Sequence, residues 1–259
     1  MYKVISMDFD DTILTKDKKV SKYSEKVLNK YKKEGYIIVG VTGRNLSSAK
    51  DACDISLFNY LILNNGSILY NVKTKKVEFI NLLSKTLCKK ITKQYNEVAI
   101  KYDYCSINNY YMTRIFTRNS KPFLKRIKNI SEVDEDICKM NIFLKDNGNI
   151  EAIRDDVNSN FEVNAFIMQD STSIDKWIVI NPKNLNKSTT LELLCKKYGL
   201  TLENAIFFGD GLNDLELIRD AGLGVAMGNA LSSVKKLAKD VALTNEQDGV
   251  AKYLVKLLK

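Results

Sequence analysis

Asp8-Phe9-Asp10-Asp11-Thr12 sets three carboxylates within four residues, directly after the apolar run Val4 to Met7. Carboxylates this close repel one another. The crowding is tolerable when a cation neutralises it, or when one group keeps its proton because its neighbours raise its pKa. An acidic turn without function has the same composition, whereas a calcium loop of EF-hand type is excluded, since its sixth position would be Ile13 and its twelfth Lys19. A second acidic segment, Gly209-Asp210-Gly211-Leu212-Asn213-Asp214, follows Ala205-Ile206-Phe207-Phe208. Its two carboxylates stand four residues apart, a spacing that can turn both towards one hard cation. A dinucleotide fingerprint fits it poorly, because Asp214 stands where the third glycine belongs and repels a pyrophosphate.

Two smaller signals accompany the acids. Thr42-Gly43-Arg44 follows an apolar run and offers a hydroxyl and backbone N–H groups that suit a phosphate oxygen, although a strand-to-helix turn with Thr42 as N-cap has the same appearance. Lys187, in Asn186-Lys187-Ser188, opens a helical stretch without the glycine pattern of a P-loop, so its ammonium is a candidate site group by position alone. The chain has no histidine, which removes Ser-His and Cys-His catalysis and every imidazole metal site. Carboxylates must carry any acid–base chemistry.

The elements around these residues read as βαβ units. Val4 to Met7 is expected as a strand. Ser21 caps a helix through Glu34, ended by Gly35, and Tyr36 to Val41 and Tyr60 to Leu63 are strands of a sheet covered on both faces. Towards the C-terminus, Ser188 to Tyr198 is expected as a helix, with Ala205 to Phe208, Val225 to Met227 and Val241 to Leu243 as strands. Residues 84–183 have a different texture. A helix from Leu87 to Val98 precedes strand-like pieces at Tyr110 to Thr117, Met140 to Lys145, Phe161 to Met168 and Ile174 to Ile180, with Asp146-Asn147-Gly148 as a turn.

The chain of 259 residues, 45% hydrophobic, can bury a substantial core in one large or two modest domains. Its apolar runs are far shorter than the roughly 20 residues that a bilayer requires. No secretory signal is evident at the start, so the cytoplasm is the expected location. Five cysteines, widely spread and without a C-x-x-C pair, indicate neither a disulfide framework nor a zinc site and are expected as reduced, mostly buried thiols. Forty Lys and Arg against thirty-one Asp and Glu give a net charge of +9, which favours anionic ligands. The lysines are dispersed in short groups such as Lys73-Thr74-Lys75-Lys76, without a basic tract or an aromatic RNA-binding signature, so a nucleic-acid partner is not expected.

Taken in order, D-x-D-x-T, T-G-R, a helix-start lysine and G-D-x-x-N-D resemble the haloacid dehalogenase superfamily. Asn65-Gly66 and the segment Ala221-Gly222-Leu223-Gly224-Val225-Ala226-Met227-Gly228-Asn229-Ala230 look like its Cof-type branch of sugar-phosphate phosphatases. The resemblance covers 1–83 and 184–259. It implies an α/β protein with a doubly wound, Rossmann-like parallel-sheet core, and at 84–183 an inserted α+β cap domain that selects the substrate. It implies that Asp8 is the nucleophile forming an aspartyl-phosphate, and that Asp10 protonates the leaving oxygen and then activates water. Mg²⁺ would be held by Asp8, the backbone carbonyl of Asp10 and Asp210, with Asp214 in or near that shell. Thr42, Gly43, Lys187 and Asn213 would hold the phosphoryl oxygens. The implied partner is a small-molecule phosphate ester, on a monomer or weak homo-oligomer without membrane association. Members of this branch usually have glycine where Asp11 stands, which leaves open the backbone conformation after Asp10 and any role for a third carboxylate. A phosphotransferase or phosphomutase resembling phosphomannomutase is the alternative, and a non-catalytic binding module is disfavoured because every charge needed for chemistry is present.

Overall fold

The computed structural model describes residues 2–114, 121–146, 148–169 and 176–258. In chain order the strands are β1 Val4–Asp8, β2 Ile37–Val41, β3 Tyr60–Leu63, β4 Ile68–Asn71, β5 Lys76–Ile80, β6 Ala99–Cys105, β7 Tyr110–Met112, β8 Leu124–Arg126, β9 Lys139–Leu144, β10 Val163–Gln169, β11 Lys176–Pro182, β12 Ala205–Gly209, β13 Leu223–Ala226 and β14 Asp240–Val241. They form two sheets, ordered β14-β13-β12-β1-β2-β3-β4-β5 and β10-β11-β9-β6-β7-β8. The chain divides into two compact units, one of residues 1–44, 49–79 and 186–259, the other of 45–48 and 80–185.

In the first unit the strands from β14 to β3 run parallel and β4 returns antiparallel to β3. All five residues of β1 are buried, as a strand covered on both faces requires. From β1 the chain winds to β2 and β3 on one side, and from β12 it winds to β13 and β14 on the other. Because such crossovers are right-handed, winding in opposite directions puts their helices on opposite faces. The helices accordingly pack in two groups, Lys22–Lys33 against Gly249–Leu257, and Lys187–Lys197 against Leu215–Asp220, which in turn meets Ser232–Leu237. This is the doubly wound core. Helix Lys22–Lys33 starts where Ser21 accepts the N–H of Ser24 and ends before Gly35, which has φ of 90°.

The second unit is α+β. One face of its sheet supplies Tyr102, Tyr104, Met140, Ile142, Ile178 and Ile180 to a core shared with Cys88 and Ile91 of helix Lys85–Gln94 and with Ile150 and Val157 of helix Ile150–Asn160. Two local expectations are corrected here. The first helix is Lys85–Gln94 instead of Leu87 to Val98, because Ser84 caps it and the backbone leaves the helical region at Tyr95. The strand from Tyr110 ends at Met112, and the last three residues of the expected span, 115–117, lie outside the described residues. The expected turn is present where the Gly148 N–H donates to Oδ1 of Asp146 at 2.9 Å, and after it the chain enters helix Ile150–Asn160, an element not expected from the sequence; Ile150, Ile153 and Val157 recur at helical spacing and point to the core. Asn147 itself lies outside the described residues.

The five cysteines are free thiols, four of them buried. Among the described residues, no helix is long and apolar enough to cross a membrane.

One contact fixes the start of helix Lys187–Lys197. Asn186 and Thr189 cap it reciprocally, and Thr190 donates its hydroxyl to the carbonyl of Gly66 at 2.7 Å. Gly66 has φ of 110°, and a Cβ there would sit 2.3 Å from the carbonyl oxygen of Asn186. Gly66→Ala is therefore expected to cost about 2 kcal/mol or more, through backbone strain and displaced chain together. Urea denaturation checks this, and a loss below about 0.5 kcal/mol would mean that the approach is not tight.

Candidate active site

The reversal of winding between β1 and β12 leaves a crevice at the carboxyl ends of the parallel strands. Asp8 is the last residue of β1, Thr42 follows β2 and Asp210 follows β12, so three loops meet there.

At its centre is Lys187, 1% exposed, whose ammonium donates to Oδ1 of Asp8 at 2.5 Å and to Oδ1 of Asp214 at 2.7 Å. An ammonium stripped of water is costly unless it is paired. Burial works against its charge, yet Asp214 and Asp8 outweigh that and hold the Lys187 pKa above the usual lysine value. Burial is also the largest influence on Asp8. It raises the carboxyl well above the usual range, with Lys187 opposing and Asp214 and Asp210 adding to the rise.

Asp214 is 0% exposed and organises the loop around it. Its Oδ2 accepts the backbone N–H groups of Asp210 and Gly211, each at 3.0 Å. A Cβ at Gly209 would lie 2.7 Å from the Asp214 carboxylate, so β12 has to end on glycine. Asp210 accepts the hydroxyl of Thr12 at 2.8 Å. Burial, then the Asp214 charge, pushes its pKa up to about 7. Asp8, Asp210 and Asp214 each offer a carboxylate oxygen, all within 4.8 Å of one another. One ammonium against three carboxylates leaves the group short of positive charge, and an all-oxygen donor set of this size fits a hard cation.

Asp10 is placed differently from the expectation that neighbouring carboxylates would crowd it. Arg44 grips it with two hydrogen bonds, Nε to Oδ2 and Nη2 to Oδ1, both 2.7 Å, and Lys18 adds a third to Oδ1 at 3.0 Å. Burial would raise the Asp10 carboxyl, but the Arg44 hydrogen bonds and charge, followed by those of Lys18, bring it down to about 2. Asp10 is thus held ionised by a bidentate fork. Asp11, where the resembling branch carries glycine, has φ of 57° and ψ of 10°, a left-handed conformation that aspartate tolerates better than most residues with a side chain. Its carbonyl accepts the side-chain amide of Asn229 at 2.7 Å. The third carboxylate therefore sits on a glycine-like turn.

The remaining expected residues gather around Asn65. Asn213 donates to Oδ1 of Asn65 at 3.0 Å, and a Cβ at Gly43 would come within 2.9 Å of the same oxygen. Thr42 is buried, and its hydroxyl accepts the N–H of Arg44 at 3.1 Å. It does not cap the following helix, since the side chain of Asn45 accepts the N–H of Ser48 at 2.9 Å. Thr12, Arg44 and Asn65 were given no role from sequence. All three lie inside the short motifs, but their partners are up to 198 positions distant and only the fold brings them together.

A family profile described as haloacid dehalogenase-like hydrolase matches residues 5–254. The chain is similar to the 5-amino-6-(5-phospho-D-ribitylamino)uracil phosphatase YcsE of Bacillus subtilis (strain 168), 27% identical over 253 residues that cover 97% of this chain and 94% of that protein. It is also similar to the HMP-PP phosphatase of Serratia proteamaculans (strain 568), 24% identical over 277 residues, covering 98% and 94%. Among solved structures, a haloacid dehalogenase-like hydrolase from B. subtilis matches with a TM-score of 0.85 at 21% identity, covering 99% of this chain and 100% of that one. At that identity the likeness concerns the fold.

The Arg44 fork can be tested through pH. Asp10 titrates near 2 in the folded protein, against about 3.9 in an unfolded chain. Its contribution to stability is present above the unfolded value and fades as pH falls towards the folded one. The stability difference between wild type and Arg44→Met should be constant from about pH 7 to 5 and narrow below about pH 4. Urea denaturation across that range measures it, and a gap that stays constant down to about pH 3 would contradict the pairing.

Proposed function

This chain belongs to the haloacid dehalogenase-like hydrolases and is a phosphatase, and we propose that it hydrolyses small phosphate monoesters, sugar phosphates or similar metabolites, through an aspartyl-phosphate on Asp8. One observation carries the reading: Asp8, Asp210 and Asp214 present oxygens within 4.8 Å of one another, with the buried Lys187 ammonium bonded to two of them. The B. subtilis relative, named for an ester of a ribityl chain, is an instance of the substrate class.

A carboxylate oxygen of Asp8 attacks phosphorus, the bond from phosphorus to the ester oxygen breaks, and the departing oxygen takes a proton from Asp10. In the second half Asp10 takes a proton from water as its oxygen attacks phosphorus, and the bond from phosphorus to Asp8 breaks, which restores the carboxylate and releases phosphate. Asp10 can carry a proton only after it leaves at least one arm of the Arg44 fork, since the paired carboxylate is held ionised. Lys187, Thr42, Asn213 and the backbone at Gly43 hold phosphoryl oxygens, whose charge is what this chemistry most needs to have neutralised. Mg²⁺, held by Asp8, the Asp10 backbone carbonyl and Asp210 with Asp214 beside it, would supply the missing positive charge and polarise the phosphoryl group. Residues 84–183 act as the specificity domain.

Rapid acid quench with para-nitrophenyl phosphate should trap phosphate on the peptide that contains Asp8. Asp8→Asn should lower kcat by a factor on the order of 10⁴ or more, and a chelator should abolish turnover until Mg²⁺ is restored. A variant that keeps more than about a tenth of wild-type turnover would remove Asp8 as the nucleophile. Full turnover in chelator would remove the metal.

A further inference from the structure

The loop after β3 has an uncommon backbone. Asn64, Asn65 and Gly66 have φ of 49°, 58° and 110°, three left-handed residues in succession. Residues with a side chain are strained there, asparagine less than most, and such stretches persist where the surroundings over-determine them, above all at functional sites. Two bonds tie this loop to the one after β2. The Asn64 N–H donates to the Arg44 carbonyl at 2.9 Å, and the Asn65 N–H to the Thr42 carbonyl at 3.1 Å. One residue on, Gly66 lies against the backbone of Asn186 and Lys187.

The Asn65 side chain is 4% exposed. It lies on the turn at Gly43, where a Cβ would come 2.9 Å from its Oδ1 and 3.5 Å from its Nδ2. Oδ1 accepts Nδ2 of Asn213 at 3.0 Å, which fixes the plane of the amide. Among the described residues, no hydrogen bond uses Asn65 Nδ2. Buried polar side chains nearly always have a partner. A left-handed backbone alone is met at lower cost by glycine, so the amide is what an asparagine adds at this position.

The acceptor that suits this donor can be narrowed. An amide N–H has nothing to offer a cation. Its neighbours are also donors with capacity to spare. The Thr42 hydroxyl oxygen accepts the Arg44 N–H, while its own proton is used by no hydrogen bond among the described residues. Asn213 spends one of its two amide N–H groups on Asn65. Spare donors from the loops after β2, β3 and β12 suit one acceptor with several oxygens, as a tetrahedral oxyanion is. Neutral donors also add to its binding without pairing with the Asp8 carboxylate, as a further lysine would.

We propose that Asn65 donates its side-chain N–H to a phosphoryl oxygen of the substrate, beside Thr42 and Asn213, and is a further catalytic residue of the reaction. This rests on the phosphatase reading and adds to it a residue from a fourth loop.

Turnover of para-nitrophenyl phosphate, and its competitive inhibition by inorganic phosphate, are measured with Mg²⁺ for wild type, Asn65→Gly, Asn213→Ala and the double variant. Glycine keeps the left-handed backbone and removes the donor. Asn65→Gly should lower kcat/KM by about tenfold or more and raise the inhibition constant for phosphate by a similar factor. A residue that merely positions Asn213 has nothing left to do in Asn213→Ala, so adding Asn65→Gly to that variant separates contact from support. The further loss should again be about tenfold. Asn65→Asp keeps Oδ1 and tolerates the left-handed turn, and it carries the same test if the glycine variant fails to fold. An unchanged kcat/KM in either folded variant, or no further loss in the Asn213→Ala background, overturns this inference alone. No turnover by wild type sinks the phosphatase reading and this inference with it.

Discussion

A single ammonium shared between two carboxylates, with almost no water, is the constraint from which the site follows. Lys187 donates to Asp8 and Asp214, and each of the three groups is tolerable in the interior only because the others are there. Moving any of them by an ångström would leave a buried charge without its partner. The helix that carries Lys187 is therefore pinned at its first turn, by the Asn186 and Thr189 caps and by the bond from Thr190 to Gly66. The loop that carries Asp214 is likewise pinned, by the two N–H bonds to its second oxygen. Several glycines follow from the same requirement. Gly66 lets the chain pass against Asn186, Gly43 makes room for Asn65, and Gly209 for the Asp214 carboxylate.

The carboxylates of Asp8 and Asp10 are held by opposite devices. Asp8 is buried, and its carboxyl is raised because burial and two further carboxylates outweigh one lysine. Asp10, two residues on, is drawn down to about 2 because Arg44 and Lys18 outweigh its burial. The left-handed turn at Asp11 falls just after Asp10, and Asn229 holds that turn by its carbonyl. Two carboxylates two residues apart thus acquire separate environments, one dominated by neighbouring acids and the other by a guanidinium. The Arg44 fork holds Asp10 in its ionised form, so the proton-carrying role proposed for Asp10 requires that fork to open first.

Much of this was legible in the order of residues. The placing of Asp8 and Asp210 at strand ends follows from apolar runs ended by acidic turns, and the parallel core follows from the alternation of those runs with helical stretches. What could not be read was which charge meets which. Nothing near Asp10 in sequence names Arg44 as its partner, and the crowded acids left open either a neutralising cation or a retained proton, where the fold gives Asp10 a guanidinium. Helix Ile150–Asn160 was hidden by the turn residues before it, although Ile150, Ile153 and Val157 carry its period.

If the Lys187 ammonium is the group that makes the buried acids tolerable, removing it should be costly in a particular way. Unfolding of Lys187→Met by urea at neutral pH, without divalent cations, measures this directly. The account predicts a loss of about 3–5 kcal/mol relative to wild type, typical of a buried ion pair that loses one partner. The loss should shrink as the pH is lowered and the stranded carboxylates take up protons, and it should be partly reversed by added Mg²⁺. A variant as stable as wild type at neutral pH in the absence of cations would contradict it.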